Sequence, residues 1–216
     1  LKYRGGPTRL VVGRENLFRE NVTAHRGTEV DQASGGITRV GDRNLIMVGS
    51  HIAHDVEIGN NVIMANVVQI AGHVKIEDGV VIGGATAMHH FVTVGRYAYL
   101  GGLTRVTHDV PPYTKVAGFN QTVRGVNIEG MRRWRFPADS IRKVRIAGRM
   151  LFSRRSGRSP LNTAEAFRAI ESDGLMTDEH VCYLIEFMKR KIEAGGFGRV
   201  REAQRVDSDA DRAKFY

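Results

Sequence analysis

The chain has 216 residues, enough for one sizeable core or a core with a smaller domain beside it, and carries a formal charge of +9. No apolar run approaches the ~20 residues that span a bilayer, the start Leu1-Lys2-Tyr3-Arg4 has neither an initiator Met nor an apolar signal region, and the lone Cys182 excludes an internal disulfide. These features point to a cytoplasmic, not membrane-spanning protein whose basic charge serves either an acidic partner or solubility alone.

A six-residue beat begins at Val12, Phe18 and Ala24 and is lost across residues 29–39, where Ser34-Gly35-Gly36 reads as a loop thrown out from a corner. Such a loop is either functional or a tolerated insertion. From Val40 the beat resumes without a polar exception: Val40, Ile46, Ile52, Ile58, Met64, Ile70, Ile76, Ile82, Met88, Val94, Leu100 and Val106. Four residues after each lies a small or β-branched residue, from Ser50 and Val56 to Thr104 and Val110, with Asn44 the exception. Gly or Ala often follows the aliphatic residue, as at Gly41, Ala53, Gly59 and Gly83. Neither a 3.6-residue nor a two-residue period produces this pattern. A chain turning a corner every six residues does, with short β-strands on flat faces and permissive residues at the corners. Three faces make one triangular coil of 18 residues, so the fold class is mainly β: a parallel β-helix of hexapeptide repeats.

The hexads stop after Val110-Pro111-Pro112, because proline cannot donate to the ladder. Helical spacing follows at Ile141, Val144, Ala147, Gly148 and Leu151. Asn162 and Glu165 look like a capping box for a second helix. Thr177, with Asp178 and Glu179, opens a third helix that ends at Gly195-Gly196. The expected organisation is a β-helix over residues 1–125 and an α-helical C-terminal domain over residues 126–216.

Residues 18 apart stack on successive coils. His54, Gly72 and His90 therefore share a column, Asp55 and His73 the next, and His51 and His89 lie close by. Five of the eight histidines gather on one edge, and imidazole is suited to proton transfer near neutral pH. His54 is the candidate general base, Asp55 a carboxylate that could hold a neighbouring imidazole in one tautomer, and Gly72 a candidate backbone N–H donor for an oxyanion.

The blocks Asn44-Leu45-Ile46-Met47, His51-Ile52-Ala53-His54-Asp55, Ala71-Gly72-His73-Val74, Asp109-Val110-Pro111-Pro112-Tyr113 and Gly125-Val126-Asn127-Ile128-Glu129-Gly130 resemble the UDP-N-acetylglucosamine acyltransferases, which open lipid A biosynthesis. The resemblance implies a left-handed β-helix and a homotrimer with active sites in the clefts between subunits. It implies transfer of a 3-hydroxyacyl chain from acyl carrier protein to the 3-hydroxyl of UDP-N-acetylglucosamine, with neither cofactor nor metal. It gives His54, Asp55 and Gly72 the catalytic roles above, and assigns sugar contacts to His51, His73 and His89. Asn127, Glu129 and Arg133 become uridine-diphosphate contacts, and Gly102, with Tyr99 nearby, limits the acyl pocket. His90 stands in the substrate site where the family usually has Gln, Phe119 where it has Asn, and Trp134 where a second phosphate-facing Arg is common. The family has further coils before the position of Leu1, so the chain is expected to lack an N-terminal part.

The basic run from Arg132 and Arg133 through Arg142, Lys143 and Arg149 to Arg154, Arg155 and Arg158 suits docking of acidic acyl carrier protein. It does not suit nucleic acid, since no aromatic platform interleaves it. Two other readings remain: a catalytically silent or sugar-shifted paralogue, and a trimeric zinc hydratase of the γ-carbonic anhydrase kind.

Overall fold

The beat in the sequence becomes the wall of a triangular prism. Each aliphatic residue from Val40 to Val106 ends a short strand and is buried, as is every residue four positions later. The computed structural model describes residues 5–29, 34–152 and 163–203. Its coils stack in parallel as a left-handed β-helix with three faces. The first face carries Arg9–Val12, Ile37–Val40, Glu57–Ile58, Lys75–Ile76 and Thr93–Val94. The second carries Leu17–Phe18, Leu45–Ile46, Ile63–Met64, Val81–Ile82, Tyr99–Leu100 and Thr114–Ala117. Thr23–Ala24, His51–Ile52, Gln69–Ile70, Ala87–Met88 and Arg105–Val106 form the third. Register partners lie 18 residues apart, for example Ile58 with Ile76 and Ile52 with Ile70.

The inward Asn44 is no flaw. Its side-chain amide donates to the Gly59 carbonyl and its Oδ1 accepts the Val62 N–H, at 3.0 and 2.7 Å, so its buried polar atoms are satisfied. Ser50 and Thr86 do the same through the carbonyls of Ala65 and Gly101.

The corners differ from the sequence expectation. The left-handed residue is three places after the aliphatic one, not directly after it: Arg43, Gly49, Asp55, Asn61, Val67, His73, Gly79, Ala85, Phe91, Tyr97 and Leu103 all have positive φ. Only two of these are glycine. From Asn61 onward each donates its N–H to the coil before, as Asn61 does to Asp42 and Val67 to Val48, which offsets the roughly 1–2 kcal/mol that left-handed backbone costs an L-residue. The glycines after the aliphatic residue are small because coils pass close there. A Cβ on Gly83 would lie 2.4 Å from the Gly102 nitrogen.

Two departures frame the regular part. In the first coil the register partners are 28 residues apart instead of 18, as Leu17 with Leu45, so ten residues leave the prism between Ala24 and Ile37. Strand Ile37–Val40 thus starts inside the span expected as loop. Nor do the strands stop at the prolines. Thr114–Ala117 continues the second face after a shortened coil, with Leu100 paired to Val116, and turns back antiparallel as Thr122–Val126.

Among the described residues five α-helices follow: α1 (Ile128–Arg133), α2 (Ala138–Phe152), α3 (Thr163–Ser172), α4 (Glu179–Glu193) and α5 (Val200–Ala203). The expected cap Asn162 lies outside the described residues. Asp178, not Thr177, caps α4, its carboxylate accepting the N–H groups of His180 and Val181. Val144, Ala147, Ile170, Leu184 and Ile185 form the helical core, and the fully buried Tyr113 joins it to the prism. Tyr183 of α4 donates to Glu77 at 2.6 Å beneath the Arg96 guanidinium; burial and the Glu77 carboxylate push its phenol up to about 12. Cys182 is half-buried, its thiol 2.9 Å from the Met176 carbonyl. Among the described residues no helix is long and apolar enough to cross a membrane.

Candidate active site

The histidine columns follow from the 18-residue coil and occupy the edge between the third and first faces. The His54 and His73 rings meet edge to face with centroids 5.0 Å apart. His73 stacks on Phe91 at 4.4 Å, and His89 and His90 lie together one coil further, at 3.8 Å. His51, one turn before His54, bonds the Thr23 hydroxyl at 2.7 Å and packs against His25. Burial, then the neighbouring His25 and His54, lower its pKa, keeping it neutral.

Asp55 is fully buried and saturated. Its Oδ1 accepts the Thr28 N–H and the Ser34 hydroxyl, and its Oδ2 accepts the Thr28 hydroxyl and His54 Nδ1, all between 2.7 and 2.8 Å. Burial alone would raise this carboxyl's pKa, but the bonds from His54, Thr28 and Ser34 outweigh it and hold the group below the ordinary carboxylate value. The Nδ1 proton of His54 is thereby committed to Asp55, which leaves the Nε2 lone pair of a partly exposed ring free to accept a proton. Gly72 lies over that ring: a Cβ there would sit 2.5 Å from His54 Cε1. The Gly72 N–H donates to no group among the described residues.

Thr28 and Ser34 are the partners that the sequence reading missed. They belong to the looped-out segment, and the ten extra residues break the 18-residue count that would have aligned them with Asp55. His25 is hidden by the same shift. Thr38, whose hydroxyl accepts the Asp55 N–H, lies on the adjoining strand.

The remaining candidates lie on other edges of the same prism. Asn127 is buried as the N-cap of α1, accepting the Gly130 N–H and donating to the Tyr97 carbonyl on the edge between the first and second faces. Glu129 and Arg133 are exposed beside it, Glu129 paired with Arg132 at 3.0 Å. Trp134 meets Tyr97 edge to face. Gly102 and Tyr99 are exposed at the second face and its junction with the third, near Ile63, Val67 and Leu103. A groove of about 380 Å³ runs along the first face between two of these edges, lined by Arg39, Glu57, Lys75, Glu77 and Arg96, away from the His54–Asp55 pair.

Among the described residues, two side-chain groups have the spacing of metal ligands: His54, Asp55 and His73, and His89, His90 and Glu202. In the first, all four carboxylate acceptor sites are already taken, so Asp55 has none to offer a cation.

Similarity to known proteins runs the length of this arrangement. The family model described as UDP N-acetylglucosamine O-acyltransferase, domain 2, matches residues 109–195. The chain is 40% identical over 201 residues to the acyl-[acyl-carrier-protein]–UDP-N-acetylglucosamine O-acyltransferase of Burkholderia orbicola, covering 93% of this chain and 73% of that protein. It is 43% identical over 189 residues to the enzyme of the same name from Anaeromyxobacter sp. strain K, covering 88% and 70%. Among solved structures it is similar to the UDP-N-acetylglucosamine O-acyltransferase of Moraxella catarrhalis, with a TM-score of 0.75, 37% identity and coverage of 86% and 69%. The Arabidopsis UDP-N-acetylglucosamine acyltransferase gives a TM-score of 0.77 at 36% identity, covering 86% and 64%.

Proposed function

Because this chain belongs to the acyl-[acyl-carrier-protein]–UDP-N-acetylglucosamine O-acyltransferase family, we propose that it transfers a 3-hydroxyacyl chain from acyl carrier protein to the 3-hydroxyl of UDP-N-acetylglucosamine, the opening acylation of lipid A biosynthesis. The observation that carries this reading is the His54–Asp55 pair beneath Gly72. A sugar hydroxyl is too weakly acidic to attack a thioester unaided at neutral pH. His54 Nε2 takes its proton as the oxygen attacks the thioester carbon, and Asp55 stabilises the imidazolium that forms. The Gly72 N–H supports the oxyanion of the tetrahedral intermediate. Collapse breaks the carbon–sulfur bond, and the imidazolium returns the proton to the carrier's thiolate.

His51, His73, His89 and His90 line the edge where the sugar would sit, and Asn127, Glu129 and Arg133 supply the diphosphate side. Within one chain these two sets are on different edges of the prism, and the acyl-pocket candidates Gly102 and Tyr99 are on a third. Three chains packed side by side bring unlike edges together in each cleft, which supports a homotrimer. The exposed apolar strip of Ile63, Val67, Tyr99 and Leu103 is its natural contact. Arginines of the helical part, exposed Arg132 and Arg142 among them, form a basic surface for acyl carrier protein.

Incubation with 3-hydroxyacyl carrier protein and UDP-N-acetylglucosamine, followed by mass spectrometry, tests the reading. It predicts a singly O-acylated sugar nucleotide. A trimeric preparation that yields no product, or acylates only a 3-amino sugar, overturns it in favour of a silent or sugar-shifted relative.

A further inference from the structure

The family match ends at residue 195, and the chain beyond it folds back onto the prism. Arg199 donates to the Thr107 carbonyl at 2.6 Å, the Val200 N–H to Asp109 Oδ2 at 2.8 Å, and Arg201 to Glu57 at 3.0 Å. These ties set α5 against the third–first edge and bring Glu202 to His90. Glu202 divides its oxygens: Oε2 is held by Arg199, and Oε1 faces His90 Nε2 at 3.8 Å, too far for a hydrogen bond. His89 packs against His90 with the rings tilted by 39° and turns its Nδ1 to the His90 carbonyl at 3.1 Å, which leaves the Nε2 lone pair of a neutral ring unused. Ligand atoms of the three side chains lie within 4.8 Å of one another.

We propose that His89, His90 and Glu202 bind one divalent transition-metal ion of the zinc class through two imidazoles and a carboxylate, with a further position open to solvent. Two ligands at about 2.0–2.1 Å in a tetrahedron stand about 3.4 Å apart, so the 3.8 Å gap closes with a small side-chain movement. Arg199 fixes the carboxylate, as partners of metal ligands do, while its charge limits affinity. An ion here would withdraw His89 and His90 from the sugar, a consequence that rests on the proposed acyl transfer; the site itself does not.

Cobalt(II) titration followed by visible d–d absorption tests the proposal in the whole chain, with no activity readout. The expected result is saturable absorption at one equivalent, weakened at least tenfold in both His90→Gln and Glu202→Gln and retained in His54→Ala. Glu202→Gln preserves shape on a short peripheral helix, so loss there is not loss of the β-helix, and circular dichroism of each variant checks this. Absence of absorption, indifference to Glu202→Gln, or loss in His54→Ala overturns it, the last by placing the ion at His54, Asp55 and His73.

Discussion

Asp55 combines full burial with four accepted hydrogen bonds, three of them from the segment between Ala24 and Ile37. Replacing it with Asn removes bonds to a charged group, each worth about 1.5–3 kcal/mol. Because its folded pKa lies below the unfolded value of about 3.9, the contribution is complete above that pH and is lost only as pH falls through the depressed value. The margin of wild type over Asp55→Asn should therefore be constant from pH 7 to 5 and shrink below about pH 4 in melting curves. A margin already gone at pH 6 would contradict the assignment. Gly72 makes the complementary case. Its φ is ordinary, so Ala strains no backbone, yet the new Cβ would displace the His54 ring. We expect Gly72→Ala to lower the transfer rate about 10²-fold while the melting temperature stays close to wild type. His54, Asp55 and Gly72 were legible in the sequence because a repeat of fixed length turns residue numbers into columns. Thr28 and Ser34 were not, since the insertion destroys that arithmetic. Glu202 reaches His90 only through tertiary folding that no spacing encodes.

At the scale of the element, the hexad is specified by its two inward residues and is tolerant elsewhere. Twelve aliphatic positions without a polar exception made the prism legible. The left-handed corners were not, because Arg43, Val67, Ala85 and Leu103 carry no turn signature. The coil's own N–H bonds, not residue preference, impose that backbone. Glycine at such a corner matters when a neighbour crowds it. Gly79 has φ +67° and a Cβ there would lie 2.5 Å from the Tyr97 ring, whereas at Gly49, φ +68°, it would make only an ordinary contact with Val67 Cγ2 at 3.9 Å. Gly79→Ala should cost about 2 kcal/mol or more and Gly49→Asn less than about 0.5 kcal/mol by chemical denaturation. Equal effects would mean that the corners are not held as described. The hairpin after the prolines escaped the sequence reading because its coil is shortened, which breaks the beat while keeping the face.

For the whole molecule, the decisive feature is that the proposed half-sites lie on different edges of one prism. Activity then depends on assembly. Leu103, the most exposed large apolar residue of the strip at 78%, is the test position: Leu103→Glu should dissociate the proposed trimer in light scattering and abolish transfer together. A monomeric variant that retains transfer would show that one chain holds a complete site.

The central claim is that His54 is the general base of an acyl transfer, and the most direct measurement is the rate of transfer from 3-hydroxyacyl carrier protein to UDP-N-acetylglucosamine by wild type and His54→Ala at equal trimer concentration. The account predicts a loss of about 10²-fold or more, with the trimer intact. Undiminished transfer by His54→Ala would place the base elsewhere and leave the histidine column a structural feature.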